Sequence, residues 1–146
     1  MNEEVKSVFR FNAHVINKNL EDINQEESLV TASSGGPSIN WILGHIILTR
    51  DYLQELLGIE NTCDEKFEKI YSRGVDSVST SDAIDVKELL KIFNESQIKI
   101  MKALDEIDIR SDKDMMDNIP GLSFHEAYHA GQTGILRRVI GKKGVI

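Results

Sequence analysis

The sequence is short of several things that would place it in a class at once. It has one cysteine, Cys63, so no internal disulfide can form and a reducing compartment is the natural setting. Only two of the 146 residues are proline and 40% are hydrophobic, which is unlike a disordered composition. No stretch approaches the ~18 uninterrupted apolar residues of a membrane span. The opening "MNEEVKSVFRFNAH" carries acids where a secretory signal needs basic residues. One soluble, cytoplasmic domain over residues 1–146, with no membrane contact, is the expectation. Basic charge is scarce too: 17 Lys and Arg face 24 Asp and Glu, a net charge of −7. That balance disfavours nucleic-acid binding, which needs a positive surface. The basic end, "LRRVIGKKGVI", reads as a solvated helix terminus. Period-two alternation bounded by turn residues is missing, so strands are not expected.

Helical periodicity is present four times. Over residues 3–25, Val5, Val8, Phe9, Val15, Ile16, Leu20 and Ile23 share a face with Asn12 and Asn19 near its centre, while His14 points away. "TASSGGPS" marks a loop, with Pro37 placed as a first helical residue. Over 37–57, Trp41, Ile42, Tyr52, Leu53 and Leu56 form a stripe with His45 in its middle, and Gly58 suits a left-handed cap. A connection of about 25 residues follows, with a short helix expected at 64–72; it is long for a helix–helix loop. Over 82–107 the stripe holds Val86, Leu89, Leu90, Phe93, Ile100, Met101, Leu104 and Ile107, with Gln97 inside it. A Pro120-Gly121 turn then leads to a fourth helix over 123–140, where Leu136, Val139 and Ile140 share a face with His125, His129 and Gln132. The expected fold is all-α, a four-helix bundle with a long connection between its second and third helices.

The fourth helix contains His125-Glu126-x-x-His129, the spacing that helical zinc proteases use for two ligands and a general base. A protease needs a third ligand downstream, and none exists: no Asp or Glu follows Glu126, and no His follows His129. The protease reading fails. Two histidines one turn apart on an apolar stripe still form half of a metal site, since unpaired imidazoles are costly to bury. The third ligand must come from upstream. His14 lies on a polar face; His45 lies on a buried one. His45, His125 and His129 then form a facial three-nitrogen site for a divalent ion such as Zn, Ni or Fe, with open positions of the catalytic kind.

With these residues in view, the chain resembles the DinB/YfiT-like superfamily of metalloenzymes. The likeness rests on "INWILGHIILTRDYLQELLG" and "HEAYHAGQTGILRRVIGKKG". It implies a four-helix bundle whose metal is held by one histidine of the second helix and two of the last, here His45, His125 and His129. It further implies a homodimer, and chemistry on a small-molecule substrate with a low-molecular-weight thiol such as bacillithiol, in transferases and thiol-dependent isomerases. Hydroxide attack would instead give a hydrolase. The alternative is a non-enzymatic dimeric module that binds a metal or small molecule.

Around the metal, Gln132 can orient a ligand imidazole or touch a substrate. Asn12 can line the pocket or, like Asn19, bond across helices. Trp41 and Tyr128 can wall the cavity or pack in the core. Ser123-x-x-Glu126 reads as a capping box at the start of the fourth helix. Arg50, Arg137 and Arg138 are candidates to meet an anionic thiol. Cys63 has no neighbouring base in sequence to activate it.

Overall fold

A computed structural model describes residues 2–74 and 78–146. Residues 75–77 of the long connection lie outside the described residues. The protein is all-helical, and among the described residues there is no strand. Helix α1 spans Asn2–Leu20, α2 Gln25–Ser28, α3 Ile39–Leu56, α4 Glu65–Tyr71, α5 Val86–Glu106 and α6 Lys113–Val139, with a single 3-10 turn at Ile109–Ser111.

The local reasons are readable. In α1 the buried residues Val5, Phe9, Asn12, Ala13, Ile16, Asn19 and Leu20 repeat at three- and four-residue steps, which lays them on one face. The helix stops at Leu20, short of the expected 25, because Asn24 starts a new turn. Its side chain accepts from the Glu27 amide, and Glu27 answers on the Asn24 amide, a capping box. Helix α3 begins at Ile39, two residues after the expected first helical residue Pro37, because Ser38 caps it by accepting from the Trp41 amide. Gly58 takes the left-handed conformation beyond its end, φ +69°. The expected short helix in the connection is α4, capped by Asp64.

The largest departure is α6. The dipeptide Pro120-Gly121 does not turn; it lies inside a helix that begins at Lys113. Asp112 caps this start by accepting from the Asp114 and Met115 amides. Proline inside a helix costs roughly 3 kcal/mol. The added length offsets this by seating a fully buried Ile119, with Met115 and Leu122, against Val5, Phe9, Leu53 and Ile100; each fully buried aliphatic side chain contributes about 1.5–3 kcal/mol.

Helix α1 packs on α5 and α6, and α3 packs on the same two, so the four long helices close a ring in the order α1–α6–α3–α5. Helix α4 covers α3 from outside. Two apolar clusters fill the ring. One surrounds Ile16, Ile39, Ile42, Leu43, Tyr71, Leu89 and Phe93; the other surrounds Phe9, Leu53, Ile100 and Ile119. No helix among the described residues is long and apolar enough to cross a membrane.

Candidate metal centre

His45 sits near the middle of α3, and His125 and His129 stand one turn apart on α6, the helix packed against it. One ring nitrogen from each lies within 4.8 Å of the others, the one such cluster of His, Cys, Asp or Glu among the described residues. Ring centroids are 4.5 Å apart for His125 and His129, 5.2 Å for His45 and His125, and 5.1 Å for His45 and His129. The Nε2 atoms of His125 and His129 are 3.2 Å apart. Two nitrogens each about 2.0–2.1 Å from one ion, at tetrahedral to octahedral angles, stand roughly 3.0–3.4 Å apart, so this spacing fits a shared cation.

Two of the three imidazoles are held by their far nitrogen. His45 Nδ1 donates to the Tyr71 carbonyl at 3.0 Å. A carbonyl only accepts, so the proton stays on Nδ1 and the Nε2 lone pair is free to ligate. The Tyr71 carbonyl is fixed in turn: the Tyr71 hydroxyl donates to Asn40 Oδ1 and accepts the Ile84 amide, each at 3.0 Å. Its ring lies so close over Gly44 that any side chain there would overlap it. His129 Nδ1 faces Gln132 Oε1 at 2.7 Å, and Gln132 Nε2 donates to the Tyr128 hydroxyl at 3.3 Å. Trp41 stacks flat on His45, centroids 4.6 Å apart. His125 differs from both, because its Nδ1 is buried and has no hydrogen-bond partner.

Burial dominates the titration of all three. It lowers the pKa of His45 against the opposing Tyr71 bond, and that of His125, with the Arg73 charge adding to the lowering in both. It drives His129 down to about 4. The imidazoles are therefore neutral near pH 7, the form that binds metal. Three neutral nitrogens with no fourth ligand among the described residues leave open positions on a bound ion.

The other expected site residues are placed as follows. Gln132 orients His129. Trp41 is buried against the cluster, whereas Tyr128 is 58% exposed, packs edge-on against the His129 ring with centroids 5.2 Å apart, and accepts from Gln132. Asn12 donates to the Ser123 carbonyl at 3.1 Å and Asn19 to Thr133 Oγ1 at 3.0 Å, so both amides tie α1 to α6. His14 is exposed on α1. Cys63 is a poor nucleophile: burial first, and then the Asp51 charge, push its thiol pKa up.

The capping-box reading of Ser123 and Glu126 is overturned, because α6 starts ten residues before Ser123. Ser123 Oγ instead donates to the Pro120 carbonyl at 2.8 Å. Glu126 is 3% exposed and takes two bonds from Arg50, from Nε at 2.7 Å and Nη2 at 3.0 Å. Arg50 also donates to the Phe93 carbonyl and Ser96 Oγ at 2.8 Å and to Gln97 Oε1 at 2.7 Å, so all five guanidinium N–H groups are used. Neither Arg50 nor Arg137, which is buried against Asp22, is open to an anionic thiol. A signal for the Arg50 pair does exist in the sequence. Arg50 follows Ile46 by four residues and precedes Leu53 by three, and both of these are buried.

No protein-family model, curated protein or solved structure matches this chain.

Proposed function

We propose that this chain is a divalent-metal-dependent enzyme. It holds one zinc, nickel or iron ion on His45, His125 and His129 and carries out a thiol-dependent S-transfer or a hydrolysis on a small molecule. The observation that carries this reading is the convergence of three neutral, mostly buried imidazoles from two helices. The ring of α1, α6, α3 and α5 supports a four-helix bundle of the DinB/YfiT-like kind, and the two segments quoted above favour thiol transfer over hydrolysis.

A bound divalent ion would supply Lewis acidity, lowering the pKa of a coordinated thiol or water so that thiolate or hydroxide exists near neutral pH. The chain's own residues do the rest. Tyr71 and Gln132 fix the orientation and tautomer of His45 and His129. Trp41 closes one side of the site and keeps water off the His45 ring. Arg73, exposed and near enough for its charge to act on His45 and His125, is placed to meet an anionic thiol where Arg50 and Arg137 are not.

A second reading, a dimeric metal- or small-molecule-binding module without catalysis, draws on exposed Phe11, Phe124 and Ile135 along α1 and α6. Metal analysis of tag-free protein beside His45→Ala and His129→Ala separates the outcomes. The enzyme reading expects about one ion per chain in the parent and loss in both variants, followed by turnover when thiols and electrophiles are supplied. Metal without turnover across that screen favours the module. A parent that takes up no metal removes the enzyme reading.

A further inference from the structure

The third imidazole lacks what the other two have. Buried polar atoms are almost always satisfied, by protein or by held water. His125 Nδ1 has no protein partner. His125 also lines a small cavity between α1, α3 and α6, together with Phe9, Thr49, Arg50, Leu53, Leu122 and Glu126. About 10 Å³ of this cavity is open to the centre of a water molecule, room for one water and far too little for a substrate.

The polar residues that line it have hydrogen-bonding capacity to spare. Thr49 Oγ1 spends its proton on the His45 carbonyl at 2.9 Å, which leaves its lone pairs free to accept. The Glu126 carboxylate receives two bonds from Arg50, and a carboxylate can accept about four. A water here would accept from His125 Nδ1–H and donate to Thr49 and to Glu126, three bonds in all, the usual number for a buried water.

We propose that this cavity is a one-water site through which Thr49 and Glu126 orient His125 for the metal. The inference rests on the three-histidine reading and adds its missing third support. Thr49 and Glu126 become positioning residues; neither touches the ion. The choice of water has a physical reason. With Nε2 of His125 and His129 only 3.2 Å apart, one of the two must carry a proton whenever no cation lies between them. His129 cannot, because Gln132 Oε1 keeps its proton on Nδ1. His125 therefore changes tautomer as metal enters. A carbonyl would satisfy one tautomer only, whereas a water accepts from Nδ1–H and donates to bare Nδ1. Glu126, the residue that invited comparison with a protease base, acts here one water removed from a ligand.

The test loads the full chain with Co(II) and compares the parent with Thr49→Val and Thr49→Ser. Competition titration is expected to show about a tenfold weaker affinity for the valine variant, in the range for lost outer-shell partners. The serine variant, which keeps the hydroxyl, should lie near the parent. Proton spectra of the Co(II) parent in ordinary water should show three shifted N–H resonances that vanish in heavy water, with only the His125 signal altered by valine. A parent that binds no Co(II) overturns the three-histidine reading and this inference with it. A parent that binds, with valine as tight as serine, overturns the one-water site alone. Two N–H resonances instead of three in the parent do the same, whether or not the valine variant folds.

Discussion

Two polar groups, half-buried His125 and buried Glu126, stand at consecutive residues on α6 and are completed to different degrees. Glu126 faces Arg50, and the guanidinium is saturated: every N–H has an acceptor, and the Phe93 ring lies 3.8 Å from the guanidinium carbon. His125 faces His45 and His129, and that group is unfinished. The Nε2 atoms of His125 and His129 lie 3.2 Å apart, and His125 Nδ1 lacks a protein partner. A guanidinium with every N–H paired has no donor left for a ligand; what it does is hold α3, α5 and α6 together. An unfinished one keeps its capacity for a cation at a cost in stability that the surrounding packing must offset. The same five-residue segment, 125–129, thus supplies a brace and a site.

The comparison can be broken at either member. Glu126→Ala leaves the buried Arg50 charge unpaired, and the loss should be about 3–5 kcal/mol of unfolding free energy in denaturant titration of metal-free protein. A loss below 1 kcal/mol would mean that the pair is no brace. The histidine side is probed by acid. Burial holds His129 at about 4 in the folded protein against 6.5 for the ordinary group. Protonation therefore favours the unfolded chain. The metal-free fold keeps its full stability above pH 6.5 and weakens as pH falls toward 4, by up to about 3 kcal/mol from His129 alone. Metal should be released over the same range. Stability that rises on acidification would contradict the burial of a neutral cluster.

Gly44→Ala touches the site through its support. The new methyl overlaps the Tyr71 ring, which should cost about 1–3 kcal/mol of stability. Displacing Tyr71 also frees His45 Nδ1, so metal affinity should fall roughly 10- to 100-fold. A thermal melt and a competition titration read the two losses separately. The smallest effect is expected of Gln132→Leu: about tenfold in metal affinity, with little change in the melt, because Gln132 lies at the edge of the core and serves mainly His129.

How much of this was readable in advance depends on which signal each feature leaves. The apolar stripes placed α3 and α5 within a few residues, since burial of one face is written into residue spacing. The three histidines come together because each lies on such a stripe, so side-chain periodicity alone brought His45 toward His125. The start of α6 escaped. Pro120-Gly121 is a strong local break, and only the distant contacts of Ile119 with α1, α3 and α5 outweigh it. Glu126 escaped for the same reason, because a capping box is a local pattern and its true partner is 76 residues away. The support of His45 left no trace at all: it is a main-chain carbonyl, and any residue at position 71 would have supplied one.

X-ray absorption of the zinc-loaded parent at pH 7.5 tests the central claim most directly, since it counts the imidazoles on the ion. The account predicts three histidine nitrogens at about 2.0–2.1 Å, falling to two in His45→Ala if that variant retains metal. A site with two imidazoles or fewer in the parent, unchanged by His45→Ala, would contradict it.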